Sequence, residues 1–167
     1  MVNKLPPLNW KDNPTGCCPR FDPKPWDENT VKFKDKKFIK GTTLNFMHIP
    51  LTMGRMMKRE WERIEKAGAN PKDTFAVLSY DPSPWKGEHY LTVTKNVPGA
   101  DNTTLSGTYM TKVFEGPYKD AKKWVGEMEQ YVKSKRKKLK KLYFYYTTCP
   151  KCIKTYGKNY TVAFAQV

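Results

Sequence analysis

Four cysteines stand as two close pairs, Cys17-Cys18 in one third of the chain and Cys149 with Cys152 in another. The Cys-Pro-Lys-Cys spacing of the second pair is that of a zinc half-site, where two thiolates from one turn reach a tetrahedral ion. The vicinal pair is a poor match for the other half, because adjacent thiolates seldom both point at one ion. A disulfide staple between the two segments and ordinary free thiols are the other two readings. A thiol-redox site at Thr148-Cys149-Pro150-Lys151-Cys152 is set aside, since that chemistry sits on a fold with a helix and further strands downstream and only fifteen residues follow Cys152.

The acid–base candidates are Glu88 and Glu115, with His48 and His89 as the two imidazoles. A carboxylate near aromatics can activate water when its surroundings shift its pKa. Successive strand residues face opposite sides, so Glu88 and His89 are not placed to act as a pair. Binding candidates are aromatic. Phe46 and His48 alternate onto one face, Trp85 precedes Glu88, and Tyr109 opens a later strand. Tyr143-Phe144-Tyr145-Tyr146 is the densest run, with Tyr143 and Tyr145 sharing a face. Rings with a polar tip suit a half-wet cleft; a covered sheet that buries them as core is the plain alternative.

Elements that position these residues follow from periodicity. Residues 1–30 carry six prolines and interleaved Trp10, Phe21 and Trp26, which reads as an irregular strap packed on the body. Two-residue alternation predicts strands over 30–38 and 39–49. A helix is predicted over about 51–67, with Met53, Met57, Trp61 and Ile64 on one face and Gly68 as its stop. Strands follow over 75–80, stopped by Asp81-Pro82, and over 88–95. The pattern then starts again. A strand over 105–115 leads to Gly116-Pro117, a helix carries Ala121, Trp124, Val125, Met128 and Val132, and strands occupy 142–148 and 160–167. Pro50 and Pro117, Pro82 and Pro150, and Tyr90 and Tyr160 lie 67 to 70 residues apart, which marks an internal repeat. The expected fold is α+β: two pseudo-symmetric strand–helix–strand–strand repeats, about 35–97 and 103–167, forming a curved antiparallel sheet with helices on one side.

Ser106-Gly107-Thr108-Tyr109 through Gly116-Pro117-Tyr118, followed by the helix bearing Trp124, resembles the second repeat of GyrI-like, or effector-binding, domains. Ser79-Tyr80-Asp81-Pro82 resembles the Asp-Pro after a central strand of the same family. The resemblance covers about residues 35–167, so that 31–167 reads as one such domain. It implies an aromatic-lined cleft between repeats, binding of lipophilic or cationic compounds, or hydrolysis of reactive electrophiles. The glutamate that many relatives carry six positions before the closing proline is replaced here by Phe144, so Glu88 or Glu115 would have to supply the carboxylate.

Composition bounds the rest. The net charge is +15 and mostly lysine, and the dense run from Lys133 to Lys141 forms a patch for an anionic partner such as nucleic acid. No apolar run is long enough to span a bilayer and no secretory leader is evident, so a cytoplasmic protein with no membrane partner is expected. Three functions remain: a small-molecule-binding protein lined by Phe46, His48, Trp85, Tyr109, Tyr143 and Tyr145; a hydrolase using Glu88 or Glu115; and a basic nucleic-acid-binding protein. None of them requires a cofactor, and Cys17, Cys18, Cys149 and Cys152 could hold a structural zinc.

Overall fold

A computed structural model describes residues 2–167. In chain order the elements are β1 (Thr30–Phe46), β2 (Ile49–Pro50), α1 (Met53–Ala67), β3 (Val77–Ser83), β4 (Lys86–Thr92), β5 (Asn102–Glu115), α2 (Ala121–Ser134), β6 (Lys141–Tyr146), α3 (Pro150–Tyr156) and β7 (Tyr160–Gln166). The strands pair in the order β2-β1-β4-β3-β6-β7-β5, and β1 pairs additionally with β5. Among the described residues, six strands thus close on themselves as an antiparallel barrel, with β2 as an extra strand and three α-helices.

This overturns the expected curved antiparallel sheet with helices on one side. The cause lies in two long strands. Thr30–Phe46 is one strand of 17 residues, not two. Phe38 and Ile39 are both fully buried, one on each face, so the alternation that marks a half-exposed strand is lost there. β1 meets β4 only over 38–44 and β5 meets β7 only over 109–115. Each strand keeps a free stretch, and the β1–β5 pairing uses it to shut the ring.

Internal packing divides the chain into two units, Lys34–Ser106 and the segment ending at Phe33 together with Gly107–Val167. In Lys34–Ser106, α1 covers one sheet face. Its stripe is Met56, Glu60 and Ile64, packed with Ile39, Leu91, Val93 and Val97. Sequence periodicity put Trp61 in that stripe, yet Trp61 is partly exposed and meets Phe75 edge-on at 5.0 Å. Glu60 takes the buried place because Arg59 and Arg63 reach its carboxylate at 2.8 and 3.1 Å; a buried charge needs such partners.

In the other unit, α2 lays Trp124, Met128 and Val132 on Met110, Phe114, Ala163 and Ala165. Phe144 joins this helix-facing side. Tyr143 and Tyr145, pointing the opposite way, meet Tyr109 at 6.2 Å and Trp26 at 5.5 Å. The segment before β1 is irregular but anchored: Thr111 Oγ1 donates to the Trp26 carbonyl at 2.6 Å and the Val113 amide to Asp27 at 2.9 Å.

Candidate functional site

Two polar assemblies stand out, one in each unit. The first is the cysteine cluster. Gly16, in a left-handed conformation with φ of 70°, turns the chain before Cys17 and Cys18. At the far end Cys149 caps α3, Pro150 supplies its first turn and Cys152 follows three residues later. This helix was not expected; its seven residues are too few to show a period. The four sulfurs lie within 4.8 Å of one another, with Cys17 to Cys18 at 3.8 Å and Cys17 to Cys149 at 3.9 Å. Four ligands at a zinc–sulfur distance of about 2.3 Å sit about 3.8 Å apart, so the spacing fits a tetrahedral thiolate site, and the adjacent pair does converge. None of the four is in a disulfide.

Thr15 and Tyr156 hold this cluster in shape. Thr15 Oγ1 lies 3.3 Å from Cys152 Sγ and 3.1 Å from the Tyr156 hydroxyl, and that hydroxyl donates to the Cys18 carbonyl at 2.5 Å. The hydrogen bond from Thr15, with others from the cluster, brings the Cys152 thiol down to about 6. Burial pushes the Cys17 and Cys18 thiols up. The donor set can take a metal ion, and four protein sulfurs leave no open position on it.

The second assembly belongs to Lys34–Ser106 and begins at a turn. Met47 and His48 join β1 to β2 with φ of 48° and 69°, the signature of a type I′ turn. Glycine and asparagine are the usual occupants; a longer side chain in this region costs about 1–2 kcal/mol per residue. His48 is held there by two contacts. Its amide donates to the Pro84 carbonyl at 2.9 Å and its Nδ1 meets Asp81 Oδ2 at 3.0 Å. Asp81 reaches it because β3 is bulged between Tyr80 and Ser83, where Pro82 breaks the ladder and the carboxylate is re-aimed. An ionised carboxylate only accepts, so His48 Nδ1 carries the proton and Nε2 is left as a base. The ring is 58% exposed.

Asp81 is fixed from behind by a buried chain of hydrogen bonds. Asn45 Nδ2 donates to Asp81 Oδ1 at 3.2 Å and Thr43 Oγ1 donates to Asn45 Oδ1 at 2.7 Å. Having given its one proton, Thr43 accepts from His89 Nε2 at 3.0 Å. His89 Nδ1 therefore accepts from Ser79 Oγ at 2.8 Å. Every donor points the same way, towards Asp81. Gly87 makes room for this chain: a Cβ there would lie 2.5 Å from Thr43 Oγ1 and 2.9 Å from His89 Nε2. Burial holds His89 below its usual 6.5. Below that value the unfolded chain binds the proton that the fold refuses, so stability falls as pH drops from about 6.5 towards the lowered folded pKa. Urea unfolding between roughly pH 5 and 7 should show this acid limb, and His89→Gln should flatten it; a limb unchanged by the substitution would assign it to other groups.

The expected site residues fall as follows. Phe46 and Trp85 stand beside His48, their rings 5.7 Å apart and more than half exposed. Glu88 faces away from His89 and accepts the Tyr90 hydroxyl at 2.9 Å, with Lys86 at 3.8 Å; burial, then this contact, pushes the Tyr90 hydroxyl up. Glu115 ends β5 and is exposed. Tyr109, Tyr143 and Tyr145 are buried side chains of the other unit, and burial raises Tyr109 to about 12 and Tyr145 further. Asp81, Asn45, Thr43 and Ser79 were missed. Asp-Pro read only as a strand stop, and no local pattern announces a bulge.

Among the described residues no helix is long and apolar enough to cross a membrane. Residues 8–167 match the model of a family described as bacterial hydrolase. No curated protein matches the chain. A solved structure of SAV2435 bound to tetraphenylphosphonium is similar at 18% identity, covering 83% of this chain and 92% of that one with a TM-score of 0.45.

Proposed function

The chain belongs to the bacterial hydrolase family, and from that premise we propose that it hydrolyses small apolar electrophiles at the β1–β2 turn. The observation that carries this reading is the His48–Asp81 pair, an accessible imidazole oriented by a carboxylate and kept in a strained turn. Strain of this kind, held in place by its surroundings, gathers at functional sites. His48 Nε2 takes a proton from water while its Nδ1–H stays on Asp81. The hydroxide forms a bond to the electrophilic carbon, the bond to the leaving group breaks, and His48 returns the proton to that group. Phe46 and Trp85, exposed on the two turns that the His48 and Asn45 amides tie together, supply apolar contact for the substrate.

His48 is preferred to the glutamates as the base. Glu88 is engaged by Tyr90 and Lys86, and Glu115 stands exposed at a strand end. Binding without turnover is the second reading, favoured by the exposed Phe46–Trp85 ring pair. The cysteine cluster serves the fold: we assign it a structural zinc, because four thiolates close the coordination sphere. Zinc bound there would tie the segment around Cys17 to α3, and no step of the hydrolysis passes through it.

A panel of aryl esters, lactones and strained-ring electrophiles, with and without lipophilic cations as competitors, tests the reading. Turnover above the buffer rate that apolar competitors suppress supports it. Saturable binding with no product supports the second reading, and neither contradicts both.

A further inference from the structure

Six large apolar side chains of Lys34–Ser106 stand more than half exposed at one end of that unit: Leu44, Phe46, Met47, Ile49, Leu51 and Trp85. They come from two turns tied into one tip, since the Asn45 amide donates to the Trp85 carbonyl and the His48 amide to the Pro84 carbonyl. An exposed apolar patch of this kind marks a binding surface. Its rim is basic. Lys86 pairs across from Leu44, and Arg55 and Lys58 are exposed where α1 begins, with no acid in that helix's first turn. Of the acids at this tip, Asp81 accepts from His48 and Asn45, and Glu88 accepts from Tyr90 with Lys86 3.8 Å away, so Arg55 and Lys58 carry the rim's excess positive charge.

We propose that this tip docks on an anionic lipid bilayer, with the apolar side chains in the interface and Arg55 and Lys58 at the headgroups. Apolar burial and cationic attraction add in such a contact, and tryptophan suits the boundary. A second copy of the chain is the weaker occupant. A two-fold contact sets the same patch against itself, which would bring one basic rim onto another. The inference uses the same tip as the proposed hydrolytic site and draws its substrate from the lipid surface, yet it does not depend on the chemistry of His48.

Sedimentation with phosphatidylglycerol–phosphatidylcholine vesicles, against phosphatidylcholine alone, tests it on the full chain. The wild type should partition to the mixed vesicles, and Ile49→Glu/Leu51→Glu should lower the partition at least about tenfold. Leu44→Glu should act in the same direction, with unchanged melting temperatures showing that both variants fold. His48→Ala should bind vesicles normally while losing turnover, which separates this inference from the hydrolase reading. Absence of partition, partition that only neutralising the 133–141 lysines removes, or a dimer that Ile49→Glu/Leu51→Glu dissolves would each overturn it.

Discussion

His48→Ala is expected to lower kcat by about 10²–10⁴-fold, the range for losing a positioned general base, with little change in KM. Asp81→Asn should fall in the same direction, because an amide at that place can donate to Nδ1 and turn the wrong nitrogen outward. Phe46→Ala and Trp85→Ala should show the opposite division, raising KM more than they lower kcat. Glu88→Gln and Glu115→Gln serve as comparisons; a loss in either that matches His48→Ala would move the base to that carboxylate. The turn supplies a control on folding. Met47→Asn/His48→Gly writes the preferred type I′ pair into positions whose φ is already 48° and 69°. That variant should unfold no earlier than the wild type and should be inactive. Activity surviving in it would remove His48 from the mechanism.

Purified protein is expected to carry one zinc per chain, lost in Cys149→Ser and in Cys152→Ser. Removing the metal with a strong chelator should lower the melting temperature by about 6–20 °C, since a lost staple of roughly 3–5 kcal/mol shifts a domain of this size by about 2–4 °C per kcal/mol. The loss should appear first around Cys17, Cys18 and α3, as faster amide exchange there, while the packing of α1 on Ile39 and Leu91 stays protected. Elemental analysis and differential scanning calorimetry with and without chelator check both statements. A metal-free protein with the same melting temperature would leave the cluster as four free thiols. Under the structural assignment, readding zinc restores stability and leaves kcat per folded molecule unchanged.

The features legible in the sequence were those with a local cause. The stripe Trp124, Met128 and Val132 repeats at helical spacing and is the face α2 buries. Cys149 and Cys152 stand three apart, as a zinc half-site requires, and their partners are the ones expected. Phe46, His48 and Trp85 come from two turns joined by backbone hydrogen bonds, whereas Tyr109, Tyr143 and Tyr145, expected in the same lining, are buried in the other unit. What stayed hidden depends on long-range pairing. Nothing in residues 30–46 says that the first half of β1 pairs with β5, so the ring closure could not be read. Glu60 displaced Trp61 from the buried face of α1 because two arginines satisfy it there. Asp81 owes its direction to a bulge, and Thr43, Asn45, Ser79 and His89 become a single chain only once three strands are in register.

The location of the site is the claim on which the rest depends. The most direct measurement is an NMR shift map of the zinc-loaded protein with a non-hydrolysable apolar phosphonate. Perturbations confined to Phe46, Met47, His48, Asp81 and Trp85, with the His48 ring nitrogens among the largest, are the predicted result. A silent turn, with the shifts falling instead on Tyr109, Tyr143 and Tyr145, would contradict it.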